Sequence, residues 1–306
     1  MHVKQDGSKY GVGISMPRRE SYEKVSGSAV YTDDMVLPGM LYGAVLGSDY
    51  AHARIKSYDT KAAKALKGVK AVITAADFDM QRCGMLIKDE HPLARDKVRY
   101  IGEPVAAVAA IDMATANLAM QLIEIEYEEL DAVFDAEEAM LENAPILHEE
   151  RDSYDGIVAS PGLHNVASYT RCQEGELDVW ETCDVIVEGV YETPAQEHMY
   201  IEPCSTIADI DPMGKVTVWS SQQSVFIPRQ LTAEALGIPM TKLRFITPQV
   251  GGAFGGKCGV TNQPVTVALA LAANAPVKLT YTRSDDMIMN KSRHPSRIYM
   301  RTGADS

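Results

Sequence analysis

Apolar runs of strand length alternate with short stretches of helical spacing along most of this chain. MLYGAVLGS (40–48) reads as a short apolar strand ended by Gly47-Ser48. Residues 59–66 read as a short helix, capped by Asp59 or Thr60 and closed by Gly68. A strand follows over 69–74. The order then repeats. PVAAVAAI (104–111) is a continuous apolar run, the mark of a strand buried on both faces. Asp112 stands where it can cap a helix over 113–122. Ile123, Ile125 and Tyr127 then alternate with Glu124, Glu126 and Glu128, which predicts a strand with one wet face. Two strand–helix–strand units predict a compact α+β domain over 21–145, preceded by a polar lead-in over 1–20.

Periodicity lapses over 146–165 (ILHEERDSYDGIVASPGLHN), where Pro, Gly, Ser and charge gather, so this stretch reads as an interdomain linker. A second unit, 166–306, follows. Strands are expected at 185–192, 200–210 and 215–221. Ile227, Leu231 and Ala235 mark one face of a helix that has Pro228 in its first turn and is stopped by Gly237 and Pro239. A strand at 243–247, a helix over about 263–273 capped by Thr261 or Asn262, and a strand at 276–282 complete the series. SRIYMRTGADS (296–306) reads as a strand entering a Gly-Ala-Asp turn. A turn calls for a return strand, because an unpaired edge is a liability. The expectation is a fragment, or half of a split subunit whose partner completes the sheet.

Charge and composition narrow the function classes. The net charge is −13 and no basic block relieves it, which argues against nucleic acid and anionic membranes as partners. No apolar run approaches the ~20 residues needed to span a bilayer. The first twenty residues lack the apolar stretch of a secretory signal, and the expected location is cytoplasmic. Five cysteines, Cys83, Cys172, Cys183, Cys204 and Cys258, include no C-x-x-C pair, against a disulfide framework, a zinc ribbon or an iron–sulfur cluster held by this chain. Gln196-Glu197-His198 has the start of a metal triad but nothing at the next required position, so ordering a turn is the simpler reading. The glutamates at 124–129 read as a solvated face, and the fifteen methionines as adaptable core packing.

VGGAFGGKCG (250–259) carries the candidate chemistry. Gly251, Gly256 and Lys257 fit the first seven positions of the phosphate-loop pattern G-x-x-x-x-G-K-[ST], but Cys258 stands where a Mg²⁺-binding hydroxyl belongs, and a thiol is a poor ligand for a hard cation. The helix is also expected to start near 263, too late to aim its amides at a phosphate held by the loop. Five glycines, at 251, 252, 255, 256 and 259, still imply unusual backbone angles or close approach to a ligand. Phe254 in their midst favours a pocket over a loose surface loop.

The residues resemble a known family. SGSAVYTDDMVLPGMLYGAVLGS (26–48), AHARIKSYD (51–59), GVKAVITAADF (68–78) and VRYIGEPVAAVAA (98–110) are similar to the N-terminal a/b hammerhead domain of the molybdenum-binding subunit in the xanthine dehydrogenase / aldehyde oxidase family. QEHMYIEPCSTIADID (196–211), VTVWSSQQ (216–223) and VGGAFGGK (250–257) are similar to the start of its molybdopterin-binding domain. The resemblance implies an α+β chain built from that hammerhead domain and the first part of the molybdopterin-binding domain. It implies a molybdenum hydroxylase, which adds water-derived oxygen to an N-heterocycle or aldehyde. It implies Mo-molybdopterin, plain or as the cytosine dinucleotide, with [2Fe–2S] clusters and FAD on partner iron–sulfur and FAD subunits.

The resemblance also assigns roles to residues. Gln223, 14 residues before Gly237 and 31 before Phe254, matches the glutamine that donates its amide N–H to a molybdenum oxygen. On its own the residue reads more simply as a glutamine leading a helix and bonded to backbone. Phe254 matches the phenylalanine whose main chain, with Gly252, Ala253 and Gly255, approaches the metal's apical oxygen. Ala253 replaces a family glycine, which restricts it to negative φ. Cys258 is substrate-proximal and stands where purine-oxidising members carry a glutamate, which disfavours xanthine. The family's general-base glutamate and most pterin contacts lie further along than this sequence reaches, so the chain is expected to need another segment or chain carrying the rest of the molybdopterin domain. The competing expectations are a scaffold or assembly subunit without catalysis, and a nucleotide binder.

Overall fold

A computed structural model describes residues 15–156, 164–176 and 179–306; residues 1–14 of the expected lead-in and 157–163 of the expected linker lie outside them. The first part forms α1 (Ser21–Ser26), β1 (Leu41–Gly47), β2 (Ala53–Asp59), α2 (Lys61–Ala65), β3 (Val69–Thr74), β4 (Lys97–Val98), β5 (Pro104–Ala110), α3 (Met113–Gln121) and β6 (Glu124–Glu129). The second forms β7 (Val185–Thr193), β8 (Ser205–Ile210), β9 (Val216–Ser220), α4 (Phe226–Leu236) and β10 (Leu243–Ile246). It continues with α5 (Gln263–Ala273), β11 (Val277–Thr280), α6 (Arg283–Met289) and β12 (Ser296–Ala304).

The main sheet has seven strands in the order β10-β9-β8-β11-β1-β5-β3. β1 joins the two parts. It pairs antiparallel with β5 on one side and parallel with β11 on the other, Leu41 opposite Val277. β5 is buried on both faces, as its unbroken apolar run requires. Ala107 and Ala109 pack toward α5, while Ala106, Val108 and Ala110 pack against Ala63 of α2 and Ala116 and Ala119 of α3. α5 is the central helix, with Val265, Val267, Ala268, Leu269 and Ala270 all buried. α3 begins as its sequence predicts: the Asp112 side chain accepts a 2.7 Å hydrogen bond from the Thr115 N–H. β6 joins β2 and β4 in a separate three-stranded sheet, with its glutamates outward and Ile125 and Tyr127 half-buried.

Four expectations are corrected. The strand expected from 200 starts only at Ser205, because Met199 is left-handed (φ 49°) and Pro203 has no N–H for a ladder. The Gly-Ala-Asp turn near the end does not form. β12 runs through Gly303 and Ala304, paired with Ile186 and Val185 of β7, and Gly303 is small because a Cβ there would lie 2.4 Å from the Cys183 sulfur. The methionines are only partly core: Met40 and Met80 are buried, whereas Met85, Met140, Met213, Met240 and Met300 are exposed. Phe254 is 74% exposed, so among the described residues it has no pocket.

Residues 146–156 are fastened rather than free. Arg99 Nε donates to the Leu147 carbonyl at 2.9 Å, Lys97 pairs with Glu149 at 2.7 Å, and Arg82 pairs with Glu150 at 2.5 Å. Among the described residues no helix is long and apolar enough to cross a membrane.

Candidate functional site

The glycine loop leaves β10 at one end of the main sheet and lies against residues 198–202, which precede β8. Its two ends converge on one side chain. The Gly251 N–H donates to Glu202 Oε2 at 2.7 Å, and Lys257 Nζ reaches the same oxygen at 3.2 Å and the Glu202 carbonyl at 2.7 Å. Lys257 is fully buried, with its ammonium 4.3 Å from the centre of the Tyr200 ring. This lysine is therefore closed off from any phosphate, and α5 begins only at Gln263. The loop is not a nucleotide cradle.

The glycines divide by cause. Gly252 and Gly255 have φ near +102° and +101°, a region that favours glycine. Gly251 and Gly256 are needed for contact: a Cβ on Gly251 would lie 2.5 Å from Glu202 Cβ, and one on Gly256 would lie 2.9 Å from His198 Nδ1 and 3.0 Å from Tyr200 Cε1. Ala253 is not among the left-handed residues, so its Cβ adds no strain there. Phe254 is left-handed at φ 50°, a costly conformation for an aromatic residue.

The structure brings Gln223 and the Phe254 loop together. Gln223 precedes α4, and its backbone N–H donates to the Lys257 carbonyl at 2.9 Å. Its side-chain oxygen accepts from the Gly255 N–H at 2.9 Å. An N–H donor at Gly255 fixes which end of the amide is oxygen. Among the described residues the Gln223 NH₂ and the N–H groups of Ala253 and Phe254 find no acceptor. The structure thus shows the backbone-bonded arrangement, which leaves the amide nitrogen as a donor. Cys258 is half-buried at the loop's end, its N–H 3.4 Å from the Gly255 carbonyl. This donor set fits an acceptor oxygen on a bound metal cofactor.

Two participants, Glu202 and α6, were not singled out from the sequence, and a third, His198, was read differently. Glu202 sits in a stretch with no periodicity to flag it. His198, read there as ordering a turn, also forms part of the loop's bed, with its Nδ1 buried and, among the described residues, unpaired. α6 anchors that bed through a buried polar cluster: Tyr200 OH donates to Asp286 Oδ1 at 3.1 Å, and Arg283 donates to the carbonyls of Tyr200 (2.6 Å) and Ile201 (3.0 Å). Burial pushes the neighbouring Cys204 thiol up to about 12, which keeps it neutral. The Thr282-x-x-Asp285 capping box was a legible signal for this helix.

Comparison with known proteins identifies the family. Residues 26–131 match the aldehyde oxidase and xanthine dehydrogenase a/b hammerhead domain, and residues 161–306 match the molybdopterin cofactor-binding domain. The chain is 36% identical over 292 residues to a Bacillus subtilis protein named as a "Probable xanthine dehydrogenase" subunit, covering 95% of this chain and 38% of that protein. It is 35% identical over 301 residues to the "Nicotinate dehydrogenase large molybdopterin subunit" of Eubacterium barkeri, covering 97% of this chain and 68% of that one. Its fold superposes on the aldehyde oxidoreductase of Desulfovibrio gigas with a TM-score of 0.89 at 27% identity, over all of this chain and 34% of that structure. The chain thus spans a little over a third of two of these proteins and about two thirds of the other. With both domains matched in order and the glycine loop seated beside Gln223, the chain belongs to the molybdopterin-binding subunits of the xanthine dehydrogenase / aldehyde oxidase family.

Proposed function

We propose that this chain forms one wall of a molybdenum hydroxylase site that oxidises an N-heterocycle or an aldehyde with oxygen derived from water. The observation that carries the reading is the seating of Gln223 against the glycine loop: its side-chain oxygen takes the Gly255 N–H at 2.9 Å, which leaves its NH₂ as a donor. Molybdopterin, when bound, supplies the redox centre and acidifies water. The chain's part is positional and electrostatic. Gln223 holds a neutral donor that neither titrates nor competes as a metal ligand. The loop amides, fixed in advance, stabilise negative charge on an oxygen placed against them. Gly252 and Gly255 give the loop the left-handed backbone angles that shape it around Phe254.

Substrate class follows from what stands at the rim. A thiol at Cys258 cannot reproduce a carboxylate's acceptor geometry, which favours a heterocycle other than xanthine, or an aldehyde. The Eubacterium barkeri relative, a nicotinate dehydrogenase by name, is consistent with a heterocycle. Further polypeptide must cover this wall. Phe254 is exposed, and Val185, Val187, Tyr191, Tyr299 and Met300 stay exposed on the β7–β12 ribbon. We assign that cover to the segment or chain that carries the rest of the molybdopterin domain, and [2Fe–2S] and FAD to partner subunits. The cofactor's cytosine dinucleotide form belongs to the same proposal. So do a reducing, cytoplasmic location, in keeping with five unpaired cysteines, and a division into domains at 21–145 and 166–306 joined by 146–165.

Metal analysis of the native complex tests the reading. Close to one molybdenum per copy of this chain is expected. A complex that purifies intact and fully assembled, yet without molybdenum, would leave only the scaffold reading.

A further inference from the structure

We infer that Glu202 is a positioning residue, the fixed point from which both the Phe254 loop and the Gln223 amide take their orientation. This rests on the proposed function for its meaning and on the geometry alone for its test.

The connections run outward from one carboxylate. Glu202 Oε2 takes the Gly251 N–H at one end of the loop and the Lys257 ammonium at the other. Lys257 then passes the constraint on, because its carbonyl accepts the Gln223 N–H at 2.9 Å. The Gln223 side chain in turn accepts from Gly255 at 2.9 Å. The direction of the Gln223 NH₂ is thus set through Lys257 by Glu202. Glu202 bonds the two ends of the loop, Gly251 and Lys257, and reaches Gln223 only through Lys257.

The pair has few substitutes. The Lys257 side chain is 0% exposed and that of Glu202 is 9%, and among the described residues Lys257 meets no other carboxylate. A buried ammonium deprived of its anion is strongly unfavourable, so the loop end would have to lift toward water. Phe254 depends on the same clamp. A left-handed aromatic residue persists only where its surroundings over-determine it, and the bonds at Gly251, Gly255 and Lys257 do so here. The carboxylate itself is held in place from below, since Arg283 grips the carbonyls of Tyr200 and Ile201 just before it.

The test is hydrogen exchange on the native complex carrying Glu202→Gln. The amide can still accept from Gly251 but cannot neutralise Lys257. Peptides covering 250–258 should exchange at least about 10-fold faster, while those covering β8 and β9 stay at wild-type rates, because only a local opening is expected. Adding Lys257→Met removes the stranded cation and should restore most of the protection. If Glu202→Gln alone fails to assemble, the double variant should recover assembly. Unchanged exchange at 250–258, equal loss of protection across β8 and β9, or no rescue by Lys257→Met would each overturn the inference. Because exchange is read without metal, a complex lacking molybdenum would sink the proposed function and leave this result standing.

Discussion

Replacing Gly256 with alanine probes whether residues 198–202 are the bed of the loop. Gly256 is not among the left-handed glycines, so alanine adds only a methyl group, without backbone strain. That methyl would lie 2.9 Å from His198 Nδ1, 3.0 Å from His198 Cγ and 3.0 Å from Tyr200 Cε1. Comfortable carbon contacts are about 3.5–4.0 Å, so something must yield by about 0.5–1 Å. Tyr200 cannot: it is fully buried, and its hydroxyl is bonded to Asp286. His198 has an Nδ1 unpaired among the described residues and is half-buried, so it swings or the loop lifts. Overpacking of this kind costs about 1–3 kcal/mol. At roughly 2–4 °C per kcal/mol, the midpoint of thermal unfolding should fall by about 2–12 °C. Gly259→Ala is the control, since nothing lies within 4 Å of its added carbon. It should stay within about 0.5 kcal/mol of wild type. If Gly256→Ala melts with Gly259→Ala, the loop does not rest on His198 and Tyr200, and the described geometry is wrong.

Other outcomes follow from the same coordinates. Gln223→Ala should fold normally and retain molybdenum, yet slow reduction of the metal centre by substrate about 100-fold, the scale for losing one preorganised donor; an unchanged rapid-mixing rate refutes its role. Glu103 is a buried carboxyl that lines a cavity of about 560 Å³ with Tyr100, Tyr281 and Asn290. Burial raises it from 4.5 to about 7, against the Arg99 N–H that favours its charged form. Its contribution to stability is therefore complete below pH 4.5 and is lost as pH rises through 7. Glu103→Gln, neutral throughout, should match wild type near pH 4.5 and exceed it at pH 8 by at most about 3 kcal/mol in denaturant titrations. Asp112→Ala removes the cap of α3 and should cost about 1 kcal/mol by the same measurement.

Much of the fold was legible because its pieces are local. The continuous run of β5, the alternation of β6 and the Asp112 cap each express a short-range rule, and each appears where the pattern puts it. The parallel pairing of β1 with β11 joins residues more than two hundred positions apart, and no local pattern specifies it. Glycine was legible as a signal but ambiguous as to cause. At Gly303 it marks a close approach inside a strand rather than a turn, and at Gly251 and Gly256 it marks contact with Glu202, His198 and Tyr200 rather than with a ligand. The site was half legible. Gln223 and Phe254 were singled out through spacing to Gly237 and resemblance, and the structure seats Gln223 against the loop at Gly255, whereas Glu202 stands in a stretch with no pattern at all.

The central claim is that the Gln223 amide and the main chain at Phe254 face an oxygen of the molybdenum centre. A crystal structure of the native, metal-loaded complex measures this directly. The account predicts Gln223 Nε2 within about 3 Å of such an oxygen, a hydrogen-bond distance, with the Ala253–Phe254 backbone beside it. Molybdenum bound on another face of the molecule, or a Gln223 amide turned away from it, would contradict the account.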